Sequence, residues 1–88
     1  MYVYVLQSEK DSRSYTGCTK DLKKRKLSHD EGNVESTRAR RPLKLVYYEY
    51  CLNQQDAYQR EKYLKTTYGK RYIRNRLKNY FTGANTVK

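Results

Sequence analysis

The stretch from residue 2 to residue 19 constrains the fold most strongly, because it predicts a β-hairpin. Residues 2–6 form an apolar and aromatic run typical of a strand, and residues 15–19 form a second short strand-like segment. The polar, turn-prone segment between them is so short that the two strands are expected to pair antiparallel. Pairing can bring Tyr4 and Tyr15 close together, with Gly17 allowing another group to approach the backbone. Two hydroxyl groups beside a glycine are a polar arrangement for a core sheet.

The rest of the chain predicts one further strand and about three helices. The predicted elements are a helix over 20–31 that ends near Gly32, a polar and basic loop over 33–41, a strand over 43–52, a helix over 53–67 that Gly69 ends, and a helix over 70–81. The order is therefore β-β-α-β-α-α, which predicts an α/β (α+β) fold with a three-stranded antiparallel sheet flanked by helices. We expect one domain over residues 1–82 and a flexible tail over 83–88.

Local signals refine this prediction at the ends and faces of the elements. Thr19 is expected to cap the first helix, with Asp21 in its first turn, and Asn53 is expected to cap the second helix. The strand over 43–52 is apolar on both faces, which predicts that it is the central or most covered strand. Its predicted faces are Leu43, Leu45, Tyr47 and Cys51 on one side, and Val46, Tyr48, Tyr50 and Leu52 on the other. The predicted inward stripe of the second helix is Ala57, Tyr58, Glu61, Leu64 and Tyr68.

The net charge points to a polyanionic partner. The 88-residue chain has 20 lysines and arginines against 9 acidic residues, a formal net charge of +11, together with 11 tyrosines. On so small a domain this charge favours nucleic acid binding over a purely solubilising role. There is no apolar stretch of about 20 residues, so we expect no membrane-spanning segment. The N-terminus begins directly with strand-like sequence, so we expect no signal peptide. The two cysteines and single histidine do not form a zinc site, and we expect reduced thiols in a cytoplasmic protein.

The basic residues expected to contact phosphates lie in the first helix, in the loop before the third strand, and along the last two helices. They are Lys24, Arg38, Arg40, Arg41, Lys65, Lys70, Arg71 and Arg74. For the loop arginines, a solvated linker is the alternative to phosphate contact.

Five polar residues break the pattern of the predicted core and are candidates for catalysis. They are Tyr4, Tyr15, Arg25, His29 and Glu61, from two strands and two helices. Arg25 and His29 lie one helical turn apart on the face that Leu22 anchors, so they point partly towards the sheet. A carboxylate such as Glu61 can hold Mg²⁺ (or Mn²⁺) with water in the rest of its shell, although an ion pair is the alternative. An arginine can clamp a phosphate, and a phenol or imidazole can deprotonate water, so the set is suited to phosphodiester hydrolysis.

The order of these residues resembles the motifs of the GIY-YIG nucleases. Tyr2-Val3-Tyr4 and, after ten residues, Tyr15-Thr16-Gly17 are similar to the paired motif of that family. Arg25-x3-His29 and Glu61 also match, so the resemblance covers roughly residues 1–80 and is closest to small stand-alone bacterial members. It implies a metal-dependent endonuclease in which the two tyrosines flank the nucleophilic water. It also implies that Arg25 binds the scissile phosphate, His29 assists proton transfer, and Glu61 binds the metal.

The chain departs from the family pattern at three positions. Tyr2 stands where the first motif has glycine, and Thr16 replaces isoleucine in the second. Several family enzymes have an asparagine further along the chain from the glutamate, where this chain has Ile73. Asn75 is close by but out of step with that position, which makes it a weak candidate.

The resulting prediction is a metal-dependent endonuclease of GIY-YIG type that hydrolyses DNA and selects substrate structure or single strands. The alternatives are a non-catalytic nucleic-acid-binding module on the same fold and an RNA-associated protein, so both DNA and RNA stay open as partners. No obligate protein partner is inferred, and we expect a monomer or a weak homodimer. Tyr4 and His29 both stay open as the general base, since their ordinary pKa values are near ~10 and ~6.5.

Overall fold

The computed structural model describes residues 1–83, so residues 84–88 of the predicted tail lie outside the described part. The elements are β1 Tyr2–Ser8, β2 Ser14–Thr19, α1 Leu22–Asp30, α2 Glu35–Arg38, β3 Leu43–Tyr50, α3 Gln54–Leu64, α4 Thr67–Arg76 and α5 Lys78–Thr82. The strands form one three-stranded antiparallel sheet, which confirms the predicted α+β fold. Within residues 1–83, every helix is too short or too polar to cross a membrane.

The central strand of the sheet is β1, which pairs with β2 on one side and with β3 on the other. The register places Tyr4 opposite Gly17 of β2 and opposite Tyr48 of β3. The prediction that residues 43–52 form the central strand is therefore wrong, since β3 lies at the edge of the sheet. The apolar residues on the two faces of β3 have different surroundings. Tyr47 packs against the core on one face, whereas Tyr48, on the other face, is 55% exposed.

An irregularity in the pairing of β1 with β3 exchanges the faces of β3. Val5 pairs with Tyr47, but the next residue, Leu6, pairs with Leu45, so Val46 is the extra residue of a β-bulge. Tyr47 and Val46 consequently pack against the cluster that includes α3, whereas Leu45 packs on the opposite face. The predicted grouping of Leu45 with Tyr47 is wrong because strict alternation does not continue through a bulge.

Two small apolar clusters cover the two faces of the sheet. The first consists of Val3, Val5, Ala57, Leu64 and Ile73, from β1, α3 and α4. The second consists of Tyr4, Leu6 and Leu43, with Tyr15, Leu22 and Leu45 packed against it. Leu22 is therefore the inward anchor of α1, as predicted, and it holds this helix over the face that carries Tyr4.

Side-chain caps determine where α1 and α3 begin. Asn53 caps α3 as predicted, and its side-chain oxygen accepts hydrogen bonds from two backbone N–H groups of the first turn. The cap of α1 is Asp21 and not Thr19: the Asp21 carboxylate accepts from the backbone N–H of Lys24 at 3.0 Å. Thr19 is the last residue of β2, and its hydroxyl accepts from the backbone N–H of Asp21 at 3.2 Å, which makes a turn before the helix.

The segment after α3 differs most from the prediction. Gly69 does not end a helix, because it is buried in the first turn of α4. A Cβ atom at Gly69 would overlap the backbone of Tyr63 and Leu64, so the glycine lets α4 pack closely on the end of α3. The predicted helix over 70–81 is divided at Leu77 into α4 and α5.

Two further local predictions are corrected. The segment predicted as a loop over 33–41 contains the short helix α2. Tyr58 and Tyr68, predicted to point inward, are 41% and 70% exposed. The inward face of α3 is narrower than the predicted stripe because its buried residues are Ala57 and Leu64.

Candidate active site

Tyr4 lies at the centre of the candidate site. It is 1% exposed, and its ring lies against Gly17 of the paired strand β2. A Cβ atom at Gly17 would come within 2.6 Å of the phenol oxygen, so the glycine provides the space that the hydroxyl occupies. The group that approaches the backbone at Gly17 is therefore the side chain of Tyr4.

Helix α1 brings two polar side chains to the Tyr4 hydroxyl. The phenol oxygen lies 2.9 Å from Nε2 of His29 and accepts a hydrogen bond from Nε of Arg25 at 3.3 Å. Arg25 and His29 are one turn apart in α1, so one face of this helix directs both side chains towards β1. The sequence spacing is the signal for this arrangement.

His29 is fully buried and has hydrogen-bonding partners at both ring nitrogens. Its Nδ1 lies 2.7 Å from the hydroxyl oxygen of Thr37, which is also fully buried. The Thr37 hydroxyl donates to the backbone oxygen of Val34 at 3.5 Å, so its oxygen accepts from the Nδ1–H group. Nε2 of His29 is then the acceptor for the hydroxyl proton of Tyr4. Sequence reasoning missed Thr37, because it lies in a segment that was predicted as a solvated loop.

The surroundings of Tyr4 and His29 favour their neutral forms. Burial raises the pKa of Tyr4, and the hydrogen bond from Arg25 opposes this increase. Burial lowers the pKa of His29, and the nearby charge of Arg25 lowers it further. The pKa of Arg25 is raised, chiefly by its hydrogen bond to Tyr4, so the guanidinium stays charged. The result is a phenol held between a neutral proton acceptor and a fixed cation.

Tyr15 adds a second phenol to the same group of rings. Its ring centroid lies 6.4 Å from that of Tyr4 and 5.3 Å from that of His29. It is only half-buried, because β2 is an edge strand. Four of the five residues predicted for the site are thus brought together on one face of the sheet.

The fifth predicted residue, Glu61, lies on α3, which packs against the other face. Its carboxylate is 3.0 Å from Nζ of Lys65. The Cys18 thiol of β2 donates to the backbone oxygen of Ala57 at 3.4 Å. Burial, and then the nearby Glu61 carboxylate, raise the pKa of this thiol to about 12. After burial and the closer groups, the charge of Glu61 also contributes to the raised pKa of Tyr4. The carboxylate therefore lies beside β2, close enough for its charge to act on the phenol.

Glu61 is the candidate ligand for a divalent metal ion. Within residues 1–83, no group of three or more His, Cys, Asp and Glu side chains could hold a metal ion. A single carboxylate, 22% exposed, instead fits an ion such as Mg²⁺ that takes most of its oxygen ligands from water and a substrate phosphate. The competing ion pair with Lys65 is weak, because the Lys65 side chain is 54% exposed.

The arginines of the segment before β3 make contacts within the protein. Arg38 and Arg41 donate from Nε to backbone oxygens at 2.8 and 3.0 Å. Nε of Arg40 lies 3.8 Å from a carboxylate oxygen of Asp11. The contacts of Arg38 and Arg41 hold the segment around α2 in place, but both side chains are exposed and carry further N–H donors, so phosphate contact by the loop arginines stays a prediction.

The other basic candidates lie on helix surfaces. Lys24 is exposed on α1. Lys70 and Arg74 line a cavity of about 260 Å³ between the sheet and α4. Arg71 and Asn75 are exposed on α4 and share a surface depression with Arg74.

Comparisons with known proteins show the family of this chain. A family model described as the GIY-YIG catalytic domain matches residues 1–78. A UPF0213 protein of Clostridium perfringens is 46% identical over 65 residues, covering 73% of this chain and 69% of that protein. A UPF0213 protein of Staphylococcus saprophyticus is 39% identical over 66 residues, covering 74% of this chain and 79% of the relative. One of Streptococcus agalactiae is 42% identical over 65 residues, covering 73% of each chain.

No solved structure gives a significant match. The family match nevertheless spans the hairpin, α1 and α3, and so includes every residue discussed around Tyr4. The names of the relatives state no activity, whereas the family is of nuclease type, which implies a nucleic acid substrate. This chain belongs to the GIY-YIG catalytic domain family.

Proposed function

We propose that this chain is a metal-dependent endonuclease that hydrolyses DNA phosphodiester bonds, with a preference for single-stranded or structurally distinct DNA. The observation that carries the proposal is the buried Tyr4 hydroxyl, bonded to Arg25 and to His29. A packed strand tyrosine needs one partner for its hydroxyl. The Tyr4 oxygen instead contacts both a cation and a neutral base. Abstraction of a proton beside a phosphate requires this combination.

In this proposal Tyr4 is the general base and His29 acts through it. His29 is fully buried, and its Nε2 is 2.9 Å from the Tyr4 oxygen, so in this proposal the imidazole receives a proton by way of the phenol. As water attacks the phosphorus, Tyr4 accepts the water proton and passes its own proton to His29. The new bond joins the water oxygen to phosphorus, the bond to the 3′-oxygen breaks, and that oxygen takes a proton from solvent. The family resemblance suggests which oxygen leaves.

Arg25 is the proposed phosphate ligand. Its Nε donates to Tyr4, and a guanidinium carries further N–H donors with which it can bind a phosphate. The side chain is partly exposed, so it can reach a substrate while keeping its contact with the phenol. This position lets one cation bind the phosphate and stabilise negative charge on Tyr4.

Glu61 is the proposed ligand of Mg²⁺ or Mn²⁺. When bound, the ion supplies positive charge to the phosphate oxygens. Lys65, which is exposed, forms an ion pair with Glu61 and so places a positive charge beside the carboxylate until a metal ion and substrate bind. The residue's own part is to hold a negative charge beside β2, close enough for that charge to act on Tyr4.

The test is a cleavage assay on single-stranded, duplex, flapped and branched DNA with Mg²⁺ or Mn²⁺. Tyr4→Phe, Arg25→Ala and Glu61→Gln should each lower the rate about a hundredfold or more while the thermal transition shows a folded protein. Tyr58→Phe, on the exposed face of α3, is the matched control and should cut at the wild-type rate. A folded Glu61→Gln protein that cuts normally would contradict the metal assignment.

The second candidate is a non-catalytic nucleic-acid-binding module, which the net charge of +11 favours because binding a polyanion needs positive charge and no inward carboxylate. In that case the wild type would bind DNA or RNA with a strong salt dependence and cut none of the four substrates. Equal-length DNA and RNA competitors then separate the partners, since only RNA offers a 2′-hydroxyl.

A further inference from the structure

A cluster of three tyrosines lies on the exposed part of the sheet, where β1 meets the edge strand β3. The ring of Tyr2 lies 5.9 Å from that of Tyr48 and 4.9 Å from that of Tyr50, both edge to face. Tyr48 is 55% exposed and Tyr50 is 57% exposed. We call these three residues the tyrosine surface.

Cross-strand packing explains only part of the tyrosine surface. Aromatic pairs across strands stabilise a sheet through their contact with each other. This contact does not account for the outward ring faces of Tyr48 and Tyr50, since more than half of each residue is exposed to water. Two large aromatic side chains exposed side by side are typical of a binding surface.

A groove lined by lysines adjoins the tyrosine surface. It has a volume of about 580 Å³, lies between the start of α1 and the sheet, and is lined by Tyr2 and Tyr48. Lys20, Lys23 and Lys26 also line it, against the single carboxylate of Asp21. Lys26 forms an ion pair with Asp30 at 2.8 Å, and the Asp21 carboxylate caps α1. The positive charge that the groove offers to phosphates is therefore mainly that of Lys20 and Lys23.

We propose that the tyrosine surface and the adjoining groove bind unpaired bases of a single-stranded nucleic acid, with bases stacked on the tyrosines and phosphates along the lysines. Every base has a face that can stack on an aromatic ring, and a cationic groove follows the backbone. This inference rests on the proposed function, since it assigns the part of the substrate next to the cleaved bond.

The position of the surface connects it to the site. Tyr48 of β3 is paired directly opposite Tyr4 of β1, and Tyr2 lies on the same face of β1 as Tyr4. The backbones of Tyr48 and Tyr4 are therefore one β-strand spacing, about 5 Å, apart, and a nucleic acid bound to the tyrosine surface lies on the face of the sheet that carries Tyr4. A second copy of the chain is a poorer occupant, because two proteins of net charge +11 would bring their lysines together.

Binding of a fluorescein-labelled oligothymidine, followed by anisotropy in EDTA, tests the inference without cleavage. The pair Tyr48→Ser and Tyr50→Ser should weaken binding about tenfold or more. The pair Tyr48→Phe and Tyr50→Phe keeps the rings and should bind like wild type. Tyr58→Ser, an exposed tyrosine on α3, is the matched control and should also bind like wild type.

Several results would overturn the inference. A folded serine pair that binds oligothymidine within twofold of wild type would do so, and so would equal losses in the serine and phenylalanine pairs. If the serine pair does not fold, Tyr50→Ser alone, at the end of β3, gives the same comparison. A wild-type dimer in sedimentation that the serine pair abolishes, with unchanged oligothymidine binding, would assign the surface to self-association. The assay measures binding without cleavage, so its result can be interpreted even if the protein has no nuclease activity.

Discussion

The buried hydroxyl of Thr37 determines which nitrogen of His29 carries a proton. Replacing it by the isosteric Thr37→Val leaves the Nδ1–H group without its partner at 2.7 Å. An unsatisfied buried donor costs about 1–3 kcal/mol, so we expect the free energy of unfolding to fall by about this amount in urea titrations. We also expect slower cleavage, because the imidazole is no longer fixed with Nε2 as the acceptor for Tyr4.

Thr37→Ser is the matched control, because it keeps the hydroxyl and removes only a methyl group. It should restore most of the cleavage rate. A valine variant with wild-type stability and a wild-type pH profile of cleavage would show that the hydroxyl does not fix the tautomer. If both variants lose activity equally, the methyl packing of Thr37 is what matters.

The stability of the protein should depend on pH through His29, the single histidine of the chain. Burial and then the charge of Arg25 lower its pKa below the ordinary value of about 6.5. On acidification the unfolded chain therefore takes up the proton first, and the folded state loses stability below about pH 6.5, down to the lowered pKa. One proton limits the slope to about 1.4 kcal/mol per pH unit.

Urea unfolding between about pH 7.5 and about pH 5 measures this slope. His29→Gln, compared over the same range, should lack the part of the slope that begins near pH 6.5. Stability that stays constant or rises on acidification through this range would mean that His29 is not held neutral in the folded protein.

At the scale of elements, the junction of α3 and α4 depends on Gly69. Alanine is favoured over glycine inside a helix by about 1 kcal/mol, so propensity alone predicts that Gly69→Ala is stabilising. A Cβ atom here would overlap the backbone of Tyr63 and Leu64, which cannot move away as a flexible side chain could. We therefore expect a net destabilisation of about 1–3 kcal/mol, measured by urea unfolding.

Thr67→Ala is the control for this prediction, since it is exposed in the same turn of α4 and should change stability by less than about 0.5 kcal/mol. A Gly69→Ala protein as stable as the control would show that α4 can shift away from α3 without cost. In that case the close packing of α4 on α3 would not be needed to hold α3, and with it Glu61, in place.

Elements whose signals are local could be predicted from the sequence. The hairpin follows from two strand-like runs and a short loop, and Asn53 caps α3 because its side chain bonds to its own helix. The bulge at Val46 and the close packing at Gly69 depend on neighbours that are distant in sequence or on an adjacent helix. The edge position of β3 likewise depends on which strand β1 pairs with, and this is not visible in the composition of β3.

The candidate site shows the same division. Arg25 and His29 could be placed together because a helix fixes the relation of residues one turn apart. Thr37 could not be found, since only the fold brings α2 next to α1. Charge alone predicts phosphate contact for the loop arginines, and it cannot predict that Arg38 and Arg41 also donate to backbone oxygens, since those partners are set by the fold.

At the scale of the whole molecule, the exposed cations behind the net charge of +11 include some that donate to backbone oxygens of the protein and some that extend from a helix into solvent. Arg41 donates to two backbone oxygens around α2 and belongs to the first group. Lys23 and Lys24 are exposed on α1 and belong to the second. Only the second group is expected to release counterions from a bound nucleic acid.

This division predicts how salt affects binding. The logarithm of the affinity for a single-stranded oligonucleotide should fall linearly with the logarithm of salt concentration, by roughly 0.7 for each neutralised phosphate. The pair Lys23→Gln and Lys24→Gln should make this slope shallower by up to roughly 0.7 for each lost contact, whereas Arg41→Gln should leave the slope unchanged. Arg41→Gln should instead lower the free energy of unfolding by about 1 kcal/mol, because its hydrogen bonds to the backbone are lost.

Anisotropy titrations at several salt concentrations, with urea unfolding of the same variants, measure both quantities. All three substitutions remove positive charge, so a difference between them reports position and not net charge alone. If Arg41→Gln reduces the slope as much per charge as the lysine pair does, the guanidinium leaves its backbone partners to bind phosphate. The segment around α2 would then be part of the nucleic acid interface, and Thr37 in that segment would couple binding to the proton position on His29.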